Sequence, residues 1–72
     1  MKIFLSQQLL DDLTQSVRTA LAMHGIVNIP VLAEEIRKRN ETENVALEDI
    51  TALLMAHAQT HSAAMEFDRQ MN

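Results

Sequence analysis

Apolar residues recur along this chain at steps of three and four in three stretches, and its single glycine and single proline flank the first break between them. Such a period puts the apolar side chains on one face of an α-helix. In the first stretch Leu9 or Leu10, Leu13, Val17, Ala20, Leu21 and His24 share a face. Ser6 stands at an N-cap position, Leu5 and Leu10 have the spacing of a hydrophobic staple, and Gly25 sits where a left-handed C-terminal cap is wanted. The pattern predicts a helix over residues 7–24.

A second helix is predicted over residues 30–40, capped by Asn28 or Ile29, with Pro30 in the first turn where its missing N–H costs nothing. Its apolar stripe is narrow: Ile29, Leu32, Ala33 and Ile36. On the other side Glu34 precedes Lys38, and Glu35 precedes Arg39, by four residues, the favourable order for helical ion pairs. Asn40 closes the helix, and "ETEN" forms the connection unless Asn40 and Glu43 make a capping box that starts the next helix early.

The third stretch predicts a long helix over residues 46–67 with Glu48 and Asp49 in its first turn, where carboxylates suit the positive end of the dipole. From Ile50 to Met65 there is no Asp, Glu, Lys or Arg. Two seams run along this helix. Leu47, Ile50, Leu54, Ala58 and Met65, with His57 and His61 at the edge, are expected to meet the first two helices; Leu53, Ala56, Thr60, Ala63, Ala64 and Phe67 lie on another side. The two other helices cannot readily cover both, so the second seam is expected at the twofold interface of a homodimer. Ile3, Phe4 and Leu5 are expected to lie across a groove of this chain or its partner.

Composition narrows the functional classes. Seventy-two residues make one domain, 1–72, whose core is small enough to invite a supplement from a partner. Cysteine is absent, which removes disulfides and thiolate chemistry, and the formal charge of -4 gives no global attraction to nucleic acid or anionic membranes. The apolar start breaks at Ser6, Gln7 and Gln8, too short for a secretory core, and no run approaches a membrane span, so a cytoplasmic location is expected. Only Phe4 and Phe67 are aromatic, which disfavours sugar sites and base-stacking surfaces.

Little along the chain carries chemistry. His57 and His61 stand one turn apart, a spacing by which two imidazoles can share a metal, but "HAQTH" lacks the glutamate of a zincin and Asp68 is two turns from His61. The expected role is packing at a core edge or interface, with sensitivity to pH if the rings are buried neutral. Carboxylate pairs at Asp11–Asp12, Glu34–Glu35 and Glu48–Asp49 diverge by about 100° on a helix and form no dyad. No catalytic residue, cofactor, metal or small-molecule substrate is implied.

Arg37, Lys38 and Arg39 hold half of the positive charge. "LAEEI" resembles the opening of many helix-turn-helix units, which would put these cations on phosphates. The connection that follows is longer than the usual tight turn, and the would-be recognition helix opens with Glu48 and Asp49. The reading that follows is an all-α three-helix bundle, a non-catalytic module acting through helix-face protein–protein contacts, with a DNA-binding regulator as the alternative. Besides the second seam, its candidate docking face is the charged side of the second helix, Glu34, Glu35, Arg37, Lys38 and Arg39.

Overall fold

The computed structural model describes residues 6–67. The expectations for Ile3, Phe4 and Leu5, for the Leu5–Leu10 staple and for Asp68 concern residues outside that range.

Helix α1 spans Gln7–His24. Its ends follow from local chemistry: the Ser6 hydroxyl accepts the Leu9 N–H at 3.1 Å, and Gly25, at φ 70°, donates its N–H to the Leu21 carbonyl at 3.0 Å. Two extended residues, Val27–Asn28, form strand β1. Asn28 then caps helix α2, Ile29–Arg39, its side chain accepting the Val31 N–H at 3.2 Å, with Pro30 in the first turn. Asn40 ends α2 through two bonds to the Ile36 carbonyl, one from its N–H at 3.1 Å and one from its side-chain amide at 2.8 Å. A single 3-10 turn, Glu41–Glu43, leads through left-handed Asn44 to helix α3, Leu47–Thr60. "ETEN" is thus a connection, and no capping box extends α3 backwards.

Helix α3 is shorter than the sequence pattern predicts. It has 14 residues against 18 in α1, so the expected long third helix, 46–67, is corrected to one that stops at Thr60. The stop is a Schellman turn built without glycine. The Ala63 N–H reaches back to the Ala58 carbonyl and the Ser62 N–H to the Gln59 carbonyl, both at 2.9 Å, while Ser62 takes φ 53°. A serine in that conformation gives no glycine-like signal in the sequence. Beyond it the chain reverses, and strand β2, Met65–Glu66, pairs in parallel with β1 in the register Val27↔Met65 and Asn28↔Glu66. The Val27 N–H also binds the Ala64 carbonyl at 2.9 Å.

The described residues form three helices around one core, with a two-residue parallel ladder tying the end of α3 to the α1–α2 connection. Leu9, Leu13 and Val17 come from α1, Val27 from β1, Ile29, Ala33 and Ile36 from α2, and Ile50, Leu54 and Ala58 from α3; all are at most 3% exposed. The first α3 seam is therefore the core seam at Ile50, Leu54 and Ala58, and Leu9 rather than Leu10 faces inward. The uncharged run is sheltered only in part, since Ala52, Ala56, Gln59, Thr60, His61, Ser62 and Ala64 are exposed. Its helical part buries one face and half-covers Leu53 and Met55, and its last part folds back so that Ala63 and Met65 pack on the same core.

Candidate functional site

Two ridges of α1, each stepping by four residues, wall one side of an open groove of about 670 Å³: Asp12, Ser16 and Ala20 in one, Gln15, Thr19 and Met23 in the other. Val31, Leu32, Glu35 and Arg39 of α2 form the opposite wall, and Ile26, Asn28 and Glu66 close the end near the strand pair. The volume lies in the range of clefts that bind ligands or partner side chains. Ala20, Ile26, Val31 and Leu32 are each half-buried, as the floor of an open groove should be, and Met23 stands 70% exposed at its rim.

The other end of the groove is held by a polar cluster. Asp12 accepts two bonds from Arg39, from Nε at 3.1 Å and a terminal nitrogen at 2.9 Å, one from the Asn40 amide at 2.7 Å and one from the Ser16 hydroxyl at 3.2 Å. The same Arg39 nitrogen donates to Ser16 Oγ at 2.8 Å. Four donors on one carboxylate fix the crossing of α1 and α2 and give the guanidinium fork the bidentate geometry it favours. Burial pushes the Asp12 pKa up, but the bonds from Arg39 and Asn40, the Arg39 charge and the Ser16 bond outweigh it, and the carboxyl lies below its ordinary value.

Of the charged side chains on the expected docking face of α2, Glu34, Glu35, Arg37, Lys38 and Arg39, those in ion pairs take different partners. Glu34 and Arg37 face each other one turn apart, with Arg37 Nε donating to Glu34 at 3.3 Å. Arg39 turns to α1, and Glu35, at 4.0 Å from Arg39, stands on the groove. Glu34, Glu35 and Lys38 also border a smaller groove of about 480 Å³, with Pro30, Leu47 and Phe67 on its other sides. Two of the three clustered cations are thus in contact with the protein's own carboxylates, which weakens the case for phosphates there.

The expected second seam of α3 is divided by the early helix end. Leu53 and Ala63 are half-buried against the core, Ala56, Thr60 and Ala64 are exposed, and Phe67, 53% exposed, lies beyond β2. Ala63, Ala64 and Phe67 are not helical, so these six residues do not form one continuous helix face. Thr60 turns its hydroxyl onto the Ala56 carbonyl at 3.0 Å.

His57 and His61 do meet, with ring centroids 4.7 Å apart and planes tilted by 39°, and His61 Nδ1 lies 3.0 Å from the His57 carbonyl. His57 Nε2 is buried without a hydrogen-bond partner. Burial first, then the charges of His61 and Arg18, hold the His57 pKa below its ordinary value. His24 lines the α1–α2 groove, and among the described residues no group of three or more His, Cys, Asp or Glu is placed to hold a metal. No helix of the described residues is long and apolar enough to cross a membrane.

Sequence reasoning missed the groove. Met23 breaks no pattern, and Asp12, Ser16 and Asn40 read as ordinary surface or cap residues until α1 and α2 are laid together. Compared with family models, with curated proteins and with solved structures, the chain finds no match, so its functional reading rests on this geometry alone.

Proposed function

We propose that this protein is a small non-catalytic binding module that docks another protein through a helix-bordered groove. The observation that carries the reading is the α1–α2 groove, with its partly covered apolar floor and Met23 at the rim. An exposed methionine beside aliphatic side chains adapts its shape to a partner at little cost, which suits a docking surface better than a reaction centre. The groove also has a rigid frame, because the Asp12–Arg39–Asn40 cluster locks the two helices that form it.

A photo-crosslinking amino acid at position 23 tests this in cells, with one at exposed Ala52 of α3 as the control. Discrete adducts from position 23 that position 52 does not give support the reading; identical adducts from both positions, or none from either, refute it.

The expected homodimer through α3 is a separate proposal with narrower support. Ala56 and Thr60 are exposed, while Leu53 and Ala63 already pack on the chain's own core. Sedimentation of the wild type beside Ala56→Glu decides it. A dimer that the substitution splits, with helicity kept, supports an α3 interface, and a wild-type monomer at high concentration removes it.

A further inference from the structure

We infer that the α1–α2 groove receives a basic amphipathic helix of a partner protein, its apolar stripe on Met23, Ile26 and Leu32 and its lysines or arginines over Glu35 and Glu66. This rests on the docking reading above and adds the chemistry of the occupant.

Shape argues for a helix. The α1 wall runs from Asp12 to His24, about 18 Å at 1.5 Å per residue, which matches about three turns of a partner laid alongside. The apolar lining comes from Ala20 and Met23 in the last turns of α1, Ile26 in the connection, and Val31 and Leu32 in the first turn of α2, and it offers contacts to one apolar face of a partner helix. An extended segment has less to join, since each strand of the only ladder among the described residues is two residues long.

Charge argues for a basic one. Three carboxylates line the groove, Asp12, Glu35 and Glu66, against one guanidinium, Arg39, which Asp12 already holds by two bonds. Glu35 reaches Arg39 only at 4.0 Å, and Glu66 accepts the neutral Phe67 N–H at 3.0 Å. The acidic excess therefore sits at Glu35 on the α2 wall and Glu66 at the strand end of the groove. The net charge of -4 over the whole chain steers encounter in the same direction and opposes acidic segments and anionic lipid.

The test titrates the ¹⁵N-labelled full chain with a synthetic amphipathic helix of leucine and lysine, and with its counterpart carrying glutamate at every lysine. The lysine peptide should shift the amides of Ala20, Met23, Ile26, Leu32 and Glu35 to saturation, and the glutamate peptide should leave them in place. Glu35→Lys should weaken binding about three- to fivefold. Met23→Glu, at an exposed position that leaves the core intact, should weaken it about tenfold, with an unchanged far-UV spectrum showing the fold retained. Equal shifts at the groove with both peptides would overturn the basic occupant and leave the docking groove standing. Lysine-peptide shifts confined to α3, or none at all, would overturn both.

Discussion

Replacing Asp12 by alanine removes the acceptor on which four donors converge, and its cost can be worked out bond by bond. Arg39 is half exposed, so its bidentate pair contributes about 1 kcal/mol, the upper end for a surface ion pair of good geometry. Asn40 is buried; its amide loses the 2.7 Å bond to Asp12 and keeps only the Ile36 carbonyl, a loss of about 1 kcal/mol. The Ser16 hydroxyl loses the acceptor of its long 3.2 Å bond and keeps only the bond it accepts from Arg39, which adds only a few tenths of a kcal/mol. Alanine's better helix propensity returns about 0.5 kcal/mol, leaving a net destabilisation of about 1.5 kcal/mol. For a domain of this size that lowers Tm by about 6–12 °C.

Urea denaturation followed by far-UV circular dichroism measures the difference, and a cycle with Arg39→Ala isolates a coupling of about 1 kcal/mol between the two side chains. The pH dependence supplies an independent check. The folded Asp12 carboxyl titrates below its ordinary value of 3.8, so its contribution is fully present well above that pH and is lost as pH falls through 3.8 toward the folded value. Asp12→Ala should remove that part of the acid slope. A destabilisation under about 0.5 kcal/mol, together with a coupling near zero, would refute the claim that this cluster clamps α1 to α2.

Three further outcomes are expected. Ser62→Gly should stabilise the chain by about 1 kcal/mol, because it removes the left-handed strain of the Schellman turn, and a loss of stability in the same denaturation assay would contradict that geometry. Gly25→Ala should destabilise by about 1 kcal/mol through backbone strain alone, since beyond its two chain neighbours nothing lies within 4 Å of the added methyl; a loss several times larger would point to a clash instead. Stability should fall as pH drops from 6.5 toward the depressed folded pKa of His57, because the unfolded chain takes up the proton first, and His57→Leu should flatten that slope; an unchanged slope would shift the effect to another group.

How far the sequence reaches depends on the span of each interaction. The starts of α1 and α2 are legible because their caps act within three residues: Ser6 on Leu9, and Asn28 on Val31. The core faces are legible because helical periodicity is local, and Leu13, Val17, Ile36, Ile50 and Leu54 all point inward as their spacing demands. The end of α3 is not, since the uncharged run continues past Thr60 in helical register and the stop uses a serine where glycine is the usual signal.

Residue order and side-chain chemistry therefore determine three amphipathic helices, where the first two begin and end, and which faces are apolar. Tertiary structure decides the rest, because it depends on partners distant in the chain. Asp12 meets Arg39 and Asn40 across 27 and 28 residues, and Val27 pairs with Met65 from the other end of the fold. The groove arises in the same way. Ala20, Met23 and Leu32 become one surface only when two helices, each specified locally, are fixed at a crossing that neither encodes alone.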